Sequence, residues 1–269
     1  MIEVKDLRKS FDGVEVLKGI TTTFETGKVN LVIGQSGSGK TVFLKSLLNV
    51  YEPTSGHILF DGRDIVGMSR QEKEALRAEI GTVFQGSALF DSMTVQDNIM
   101  FPLDMFTNLT FTEKNKRVNE LIGRVHLENA EKKLPSEILG GLQKTVAIEK
   151  AIVNNPRYLF CDEPNSGLDP FTANIIDDLI AEITEEYNTT TIINSHDMNS
   201  VMTIGEKIVY LRKGIKEWEG TKDILITSDN KYLIDFVYSS ELFKELREYL
   251  IKINKTSIDN IITTIENET

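Results

Sequence analysis

The sequence predicts an α/β fold, in which a β-sheet carries helices on its faces. Two observations indicate this class. Strand-like segments alternate with helix-like segments along the chain, which is the order typical of α/β proteins. Three apolar strand segments end in clusters of polar residues, and an open α/β sheet binds its ligands in a crevice at such strand ends. These three segments are Lys28–Ile33, Tyr158–Asp162 and residues 190–194.

The composition is that of one large globular domain, or of a domain with an appendage. The 269 residues are enough to bury a core, and 40% hydrophobic with 26% charged residues is ordinary for a globular protein. No apolar run approaches the roughly 20 residues that cross a bilayer, and residues 1–5 read as a first strand rather than a signal peptide. The net charge of −11 disfavours general attraction to nucleic acid or anionic lipid, so we expect no nucleic-acid partner.

Cysteine and histidine indicate no metal site or disulfide. The single cysteine, Cys161, excludes an internal disulfide, fits a reducing compartment and is predicted to be a small packing residue. The three histidines are too scattered to suggest a metal site. They are His57, His126 and His196.

The early elements can be placed in chain order. The early strands are residues 2–5, Val14–Phe24 and Lys28–Ile33. The last of these ends in a Gly/Ser-rich turn, and a helix begins near Gly39. Ser69 and Glu72 are spaced as a capping box, in which each side chain bonds the other residue's backbone amide. They predict the start of a further helix.

The character of the chain changes after Gly86. We interpret residues 86–155 as a helical subdomain inserted in the sheet domain, with a helix over residues 113–125. Residues 1–227 form the main domain, and residues 228–269 form a C-terminal helical extension that includes residues 241–252. The absence of an internal repeat indicates one copy of the main domain.

The turn after Lys28–Ile33 has the spacing G-x-x-x-x-G-K-[ST], which is typical of a phosphate-binding P-loop between a strand and a helix. Its glycines let successive amides point at phosphate oxygens, and the helix N-terminus adds positive potential. Lys40 supplies a charge for the β- and γ-phosphates of ATP, and Thr41 offers a hydroxyl to Mg²⁺. The motif, GQSGSGKT, comprises Gly34, Gln35, Ser36, Gly37, Ser38, Gly39, Lys40 and Thr41.

Two adjacent acids lie at the end of the strand Tyr158–Asp162. Asp162 is the last residue of the strand, and Glu163 follows it directly. In a P-loop protein, Asp162 is suited to hold Mg²⁺ and Glu163 is suited to act as general base on the attacking water. Solvated turn residues are the alternative for such a pair in isolation, but the P-loop favours the catalytic interpretation.

Further motifs lie around these two, namely Phe11 in KSFDG, Gln85 after apolar residues 82–84, SGLD at residues 166–169, and His196 after residues 190–194. In this order they resemble the motifs of ABC transporter ATPases over roughly residues 1–225. The resemblance implies that Phe11 stacks on adenine, although ordinary core packing is its alternative. It implies that Gln85 contacts the metal site and senses the membrane partner, and that His196 bonds the γ-phosphate. Asp169 then lies in a loop across a dimer interface and is also a good N-cap.

The signature of that family, Leu-Ser-Gly-Gly-Gln at a helix start, is altered in this chain. The signature reaches ATP held by the other subunit, and Gly140 and Gly141 retain its amides while Leu139 replaces its hydroxyl. The residues Thr145, Glu149 and Lys150 stand where Arg, Ala and Arg are usual. A homodimer would carry these changes twice, so the resemblance leaves the hydrolytic rate open.

A closer resemblance rests on GSALFDSMTV from Gly86, followed by DN and FPL, and extends through CDEPNSGLDP and NSHDMNSV to FVYSSELF. These segments resemble the ATPase of the MCE-associated, Mla-type lipid transporters of bacterial envelopes. The resemblance implies phospholipid transport by a homodimer of ATPase subunits bound to an integral-membrane permease and a periplasmic MCE-type lipid-binding protein. It places the chain peripherally at the cytoplasmic face of the inner membrane. Residues that either form a groove for a permease helix or fill the local core are Leu89, Phe90, Met93 and Phe101.

Two other function classes stay open. The altered signature favours a regulatory subunit that binds nucleotide with little or no hydrolysis, whereas intact Lys40, Asp162, Glu163 and His196 disfavour it. A soluble ABC protein that acts on ribosomes or DNA usually has paired cassettes or long coiled insertions, and this chain has neither.

Overall fold

The structure is a computed structural model that describes residues 1–127, 129–239, 244–245 and 247–249. Much of the helix predicted for residues 241–252 lies outside the described residues, and so does part of the extension predicted for residues 228–269. The end of the FVYSSELF segment, residues 240–243, also lies outside them.

Strands and helices alternate, as the sequence predicts. The described strands are β1 (Ile2–Phe11), β2 (Val14–Phe24), β3 (Lys28–Ile33), β4 (Ser55–Phe60), β5 (Arg63–Asp64), β6 (Ile80–Val83), β7 (Tyr158–Asp162), β8 (Thr190–Ser195), β9 (Lys207–Arg212) and β10 (Ile215–Gly220). The described α-helices are α1 (Lys40–Leu47), α2 (Arg70–Ala78), α3 (Val95–Phe106), α4 (Phe111–Arg124), α5 (Gly140–Ile152), α6 (Pro170–Glu186), α7 (Met198–Ile204), α8 (Lys222–Thr227) and α9 (Lys231–Val237).

Two sheets build the molecule. The smaller sheet is antiparallel, with the strand order β2-β1-β4-β5. The larger sheet has the order β10-β9-β3-β8-β7-β6, and its strands are parallel except for β10. The three strands that the sequence marked as ligand-binding, β3, β7 and β8, are therefore neighbours. Because parallel strands end at the same sheet edge, their polar C-terminal residues meet there.

The extents of some strands differ from the prediction. β1 continues to Phe11 rather than residue 5, because it pairs with both β2 and β4. Strands β4, β9 and β10 were not predicted from the sequence. Each of these strands pairs with a partner that is either distant in the chain or, for β10, itself unpredicted. Local composition therefore carried little signal for them.

Side-chain caps fix where several helices begin. The capping box predicted for Ser69 and Glu72 is confirmed, since each side chain accepts a hydrogen bond from the other residue's amide at the start of α2. An unpredicted box between Thr110 and Glu113 starts α4 at residue 111, two residues before the predicted position. Such caps satisfy amides that have no partner within the helix.

Helices α3, α4 and α5 pack on the larger sheet through a shared hydrophobic core. One cluster of buried side chains joins Ile99 of α3, Leu121 of α4 and Val146 of α5 to Leu31 of β3 and Leu159 of β7. The helical segment is thus continuous with the sheet in its packing, and the boundaries proposed for a subdomain at 86–155 and for the domains at 227/228 stay predictions. Among the helices of the described part of the chain, none is long and apolar enough to cross a membrane.

Candidate nucleotide-binding and catalytic site

The turn between β3 and α1 forms a tight loop that only glycine permits at two positions. Gly34 has φ 152° and Gly39 has φ 106°, both in the region that favours glycine. A Cβ at Gly34 would collide with the carbonyl oxygen of Leu211 and lie 2.6 Å from Oγ of Ser38. The predicted phosphate loop therefore has a backbone path that a larger residue at Gly34 would block.

Lys40 lies folded over this loop. Its Nζ donates to the carbonyl oxygens of Gly34 at 2.7 Å and Gln35 at 3.3 Å, and the residue is 7% exposed. Burial lowers the pKa of Lys40, while the negative charges of Glu163 and Asp162 oppose that shift. A phosphate group beside this ammonium would supply the charge that its buried position otherwise lacks.

The loop fits a phosphate group on two observations from the described residues. The buried Oγ of Ser38 has no hydrogen-bond partner among them. Gly39, the N-cap of α1, also brings no side chain to the first amides of the helix. Buried donors without a partner are unfavourable. An anion at the N-terminus of α1 would accept hydrogen bonds both from the Ser38 hydroxyl and from the first amides of the helix. The residues from Gly34 to Thr41 can therefore hold the phosphates of a nucleotide.

The adjacent carboxylates follow β7 and are fixed by β8. Oδ1 of Asp162 accepts a hydrogen bond of 2.9 Å from Nδ2 of Asn194, and the amide of Glu163 donates to the Asn194 carbonyl at 3.0 Å. Glu163 has φ 50°, in the left-handed region. Its Oε1 lies 3.2 Å from Nδ1 of His196. The Glu163 carboxylate and the His196 ring thus form one pair at the sheet edge.

One cavity of about 640 Å³ joins the loop to this pair. Its lining residues are Val16, Gly34, Gln35, Ser36, Gly37, Ser38, Gly39, Lys40, Thr41, Val42, Glu163, His196 and Phe236. The structure therefore brings the predicted phosphate-binding residues close to Glu163, the predicted base, and to His196, the histidine predicted to bond the γ-phosphate. Val16 and Phe236 were not among the predicted site residues. Phe236 belongs to α9 and stacks on Tyr210, with ring centroids 5.3 Å apart.

Other predicted site residues lie outside the set of described residues that line this cavity. Phe11 packs edge-to-face on Tyr51, with centroids 5.1 Å apart, and the Lys9 ammonium lies 4.8 Å from the Phe11 ring centre. Nε2 of Gln85 donates to Oγ of Ser166 at 3.1 Å. The adenine-stacking role of Phe11 and the role of Gln85 in contacting the metal site and sensing the membrane partner stay predictions.

Asp169 caps helix α6. Its carboxylate accepts hydrogen bonds from the amides of Phe171 and Thr172 and from the Thr172 hydroxyl, at 2.6 to 3.1 Å. These bonds hold the pKa of Asp169 below its ordinary value. The N-cap that the sequence predicted is present, whereas the predicted role of Asp169 across a dimer interface stays a prediction.

The altered signature segment forms the start of α5. Leu139 is the N-cap residue, is 78% exposed and makes no side-chain cap, while Gly140 and Gly141 occupy the first turn. A Cβ at Gly140 would meet nothing within 4 Å, whereas a Cβ at Gly141 would lie 2.7 Å from Cγ2 of Thr172. The first amides of α5 therefore follow an exposed, apolar N-cap residue whose side chain offers them no hydrogen bond.

Two further departures from the family pattern lie on α5. Glu149 is fully buried, both its carboxyl oxygens lack a hydrogen-bond partner among the described residues, and burial raises its pKa to about 7. Lys150 lies in an apolar groove of about 220 Å³ between β6, α3 and α5. Phe90 and Phe101, which the sequence offered as groove residues, both line this apolar groove. Leu89 instead packs against the core.

Asn194 and Asn165 are functional-site residues that were not predicted from the sequence. Asn194 is fully buried in β8 and holds Asp162. Asn165 donates to Oδ1 of Asp177 at 2.7 Å and to Oγ of Ser200 at 3.1 Å, which ties the loop after Glu163 to α6 and α7. An asparagine directly after the apolar pair Ile192-Ile193, in a strand predicted to be buried, was a signal, because a buried amide needs polar partners.

A phosphate loop, a following pair of acids and a histidine, all at the ends of adjacent parallel strands, define the P-loop class of nucleotide-hydrolysing proteins. Comparison with known proteins identifies the family. Residues 17–166 match the family model described as ABC transporter, so the chain belongs to the ABC transporter family and carries its ATP-binding cassette, the ATPase unit. The predicted fold class is thereby confirmed.

Several curated relatives share this cassette. The chain is 37% identical over 236 residues to the probable ribonucleotide transport ATP-binding protein mkl of Mycobacterium bovis, with 88% of this chain and 66% of that protein covered. It is 37% identical over 224 residues to the methionine import ATP-binding protein MetN 2 of Oceanobacillus iheyensis, with 82% and 65% covered. The chain thus spans just under two thirds of the length of these relatives.

Solved structures give the same fold. The ATP-binding cassette MJ0796, in a dimeric post-hydrolysis state bound to ADP and Pi, superposes with a TM-score of 0.75 at 29% identity and covers 82% of this chain and 98% of that one. CbiO1 of Clostridium perfringens, part of the ABC transporter complex cbiONQ, superposes with a TM-score of 0.78 at 29% identity, covering 87% and 94%.

Proposed function

We propose that this chain hydrolyses ATP as one of two paired cassettes beneath a membrane permease, and that the pair drives phospholipid transport in a bacterial envelope. The observation that carries the ATPase part is the single cavity in which Lys40 and the phosphate loop face Glu163 and His196. A cavity that only stored nucleotide would not need a carboxylate and an imidazole 3.2 Å apart opposite the phosphate-binding lysine.

The residues have distinct parts in hydrolysis. The loop amides and Lys40 bind and orient the β- and γ-phosphates, and Glu163 accepts the proton of the attacking water. His196 orients the Glu163 carboxylate and bonds the γ-phosphate. Mg²⁺, when bound, offsets the negative charge of the phosphate oxygens, and Thr41, Asp162 and Gln85 are its candidate ligands. Asn194 keeps the Asp162 carboxylate turned toward the sheet edge.

Pairing of two cassettes is needed to complete the site. Gly140 and Gly141 lie outside the cavity lining, so their amides would reach a nucleotide only when a second copy faces the cavity. The dimeric state described for the cassette MJ0796 supports this arrangement. Gln85 and Asp169 would then lie at or near the shared interface.

The apolar groove is the proposed seat of the permease. Phe90 is 41% exposed, and its ring centroid lies 4.7 Å from that of Phe101, so the two rings form one apolar wall. Phe106, which also lines the groove, is 45% exposed. A short amphipathic helix from a membrane protein is the kind of element that such a groove binds. Leu89 is not among the groove-lining residues and packs, partly buried, against the hydrophobic core.

The substrate is the finer part of the proposal. Phospholipid rests on the resemblance of GSALFDSMTV, CDEPNSGLDP and NSHDMNSV to Mla-type ATPases, which also implies a periplasmic MCE-type partner and a peripheral position at the cytoplasmic face of the inner membrane. A second candidate is import of a small polar molecule, because relatives are named for ribonucleotide transport and methionine import.

Reconstitution separates these substrates. The chain would be purified together with the membrane proteins that bind it, placed in liposomes and assayed for phosphate release. We expect that changing the phospholipid composition alters turnover, that bound phospholipid co-purifies, and that Lys40→Ala abolishes the activity. Stimulation by methionine or a ribonucleotide, with no response to phospholipid, would reject lipid transport while leaving the ATPase assignment intact.

A further inference from the structure

Lys150 is the charged residue among the described residues that line the apolar groove. It projects from the signature helix α5 between the rings of the groove wall. Its Nζ lies 4.2 Å from the ring centre of Phe90 and 5.7 Å from that of Phe101. A cation in this position is exposed to whatever helix occupies the groove.

The charge of Lys150 is poorly compensated. Its Nζ donates to the carbonyl oxygen of Ala88 at 3.0 Å and to Oδ1 of Asn98 at 3.4 Å, both neutral acceptors. Within the described part of the chain, no carboxylate forms an ion pair with it at 4.0 Å or less. Burial alone lowers the pKa of Lys150 to about 8, so the ammonium already lacks part of its hydration.

An occupied groove would make this cost larger. A helix seated on Phe90 and Phe101 would exclude the remaining water around Nζ of Lys150. An isolated ammonium in such surroundings is strongly unfavourable, whereas one paired with a carboxylate and held by further hydrogen bonds is tolerated. The Ala88 carbonyl already accepts a hydrogen bond from Nζ of Lys150, and the rings of Phe90 and Phe101 already contact it. These contacts would support the ammonium in such an ion pair.

The loop that Lys150 holds also leads to the nucleotide site. Ser87 and Ala88 have φ 63° and 50°, so the backbone here lies in the left-handed region. A second lysine of α5, Lys144, donates to the carbonyl oxygen of Gln85. Two α5 lysines therefore bind the Gln85 and Ala88 carbonyls, both in the segment that connects Gln85 to the groove wall.

We infer that Lys150 selects the permease, by forming an ion pair with a carboxylate that the permease carries on the helix seated in the apolar groove. This inference rests on the proposed docking of a permease helix in that groove. A helix with a neutral side chain at the same position leaves Lys150 buried and unpaired, and one with a basic side chain adds repulsion. Specificity then comes from the cost imposed on the wrong partner. An ammonium has three N–H donors, so Nζ can bond the carboxylate and keep its hydrogen bond to the Ala88 carbonyl, which links groove occupancy to the segment that follows Gln85.

The test uses the intact complex in its native membranes. A water-soluble carbodiimide joins an amine to a carboxylate in ion-pair contact with loss of one water, and tandem mass spectrometry then identifies the linked residues. Separately, a photoreactive phenylalanine analogue at Phe106 reports whether a permease helix occupies the groove at all. Lys150→Arg is the matched control, since a guanidinium retains the charge but does not form the amide.

We expect an amide bond between Nζ of Lys150 and an Asp or Glu of an integral-membrane protein, lost in Lys150→Arg, although the Phe106 probe still captures the same protein. Capture by the Phe106 probe without any Lys150 link would overturn the inference and leave the docking intact. A link from Lys150 to a carboxylate of this chain, within one copy or between two, would also overturn it. Failure of the Phe106 probe to reach a permease would reject the docking itself.

A charge exchange tests selection directly. Lys150→Glu should weaken co-purification with the permease at least tenfold, and changing the linked permease carboxylate to Lys should restore it. Lys150→Arg should retain assembly, and a cooperative thermal transition identifies variants that fold. Equal co-purification of Lys150→Glu and the unchanged chain would also count against the ion pair.

Discussion

Glu163 occupies a backbone conformation that few glutamates adopt. Its φ of 50° lies in the left-handed region. This conformation costs a residue with a Cβ about 1–3 kcal/mol of conformational free energy, so it persists only where surrounding contacts hold it. The hydrogen bond from its amide to the Asn194 carbonyl supplies part of that support. The result is a carboxylate turned from the strand toward His196 and the cavity, where an attacking water would lie.

We therefore expect Glu163→Gln to retain ATP binding and to lose about 10²–10⁴-fold of turnover, because the amide keeps the shape of the side chain but cannot accept the proton. Phosphate release at saturating ATP measures the loss, and titration calorimetry checks that nucleotide still binds. Unchanged turnover would remove Glu163 from the role of base.

We expect Leu139 to limit the rate of ATP hydrolysis, because its side chain has no hydroxyl group. A serine at this N-cap could give a hydrogen bond to the γ-phosphate of the facing cassette, worth about 1.5–3 kcal/mol, and a bond formed mainly in the transition state changes turnover by roughly 10- to 150-fold. We expect Leu139→Ser to raise phosphate release at least several-fold. The amides of Gly140 and Gly141 keep the basal activity above zero.

Leu139→Ala is the matched control, because it removes the exposed side chain without adding a hydroxyl. A serine cap also stabilises α5 by roughly 0.5–2 kcal/mol, so thermal unfolding should be measured for both variants. Equal gains in the serine and alanine variants would mean that leucine obstructs the interface. No gain in either would place the defect at Thr145 or Glu149, or mean that a different partner subunit supplies an intact signature.

Helix α5 differs from the family pattern both at residues with proposed functional roles and at residues that pack in the fold. It begins with the signature glycines, binds the Gln85 segment through Lys144, reaches the apolar groove through Lys150 and buries Glu149. Arg124 and Arg117 act electrostatically on Glu149 and oppose the effect of burial, while Glu186 adds to it. Burial dominates, because no described donor reaches the carboxyl oxygens.

This buried acid predicts a pH-dependent stability. The pKa of Glu149 is raised to about 7 in the folded chain from an ordinary 4.5. A raised folded-state pKa favours the folded state fully below the ordinary value, and that stability is lost as the pH rises through 7. We expect Glu149 to lower the free energy of unfolding by roughly 2–3 kcal/mol between pH 5 and pH 8.

Urea unfolding at pH 5, 6.5 and 8 measures this contribution. Glu149→Met removes the acid at similar volume, so its stability should change less with pH than that of the parent chain and exceed it at pH 8. Glu120→Met, at an exposed position of α4, is the matched control. An identical pH dependence in Glu149→Met and the parent would show that the titrating group lies elsewhere.

At the scale of the whole molecule, the cavity and the signature segment belong to separate surfaces of one chain. Glu163 and His196 line the cavity, whereas Gly140 and Gly141 do not. A nucleotide could contact both only between two copies. ATP should therefore join two chains, and a chain that binds ATP without hydrolysing it should accumulate as the pair.

Gly140 allows this to be tested without disturbing the fold, because a Cβ there meets nothing within 4 Å. In the Glu163→Gln background, we expect Gly140→Arg to bind ATP as a monomer, since the large side chain would block the facing cassette. Gly123→Arg, at an equally open position in α4, should still form the dimer. Light scattering after size-exclusion chromatography gives the mass, and an ATP-dependent dimer of Gly140→Arg would contradict the shared site.

From the amino-acid sequence alone, the phosphate loop, the acid pair and the alternation of the main strands with helices could be predicted. The loop is contiguous, so its glycine spacing between a strand and a helix sets the local backbone path with little help from distant residues. The acid pair and His196 could be placed because each directly follows an apolar strand, and parallel strands end at one edge. The capping box of α2 is equally local, and it was predicted for the same reason.

Which side chains face the site, the groove or the core follows only from how the elements pack together. Leu89 and Phe90 are neighbours with the same apolar character, yet Leu89 packs, partly buried, against the core and Phe90 lines the groove. Phe236 reaches the cavity only because α9 packs beside β9, and Asn194 holds Asp162 only because β7 and β8 are adjacent. Contacts of this kind join residues far apart in the chain. They depend on strand order and side-chain direction, which local composition does not specify.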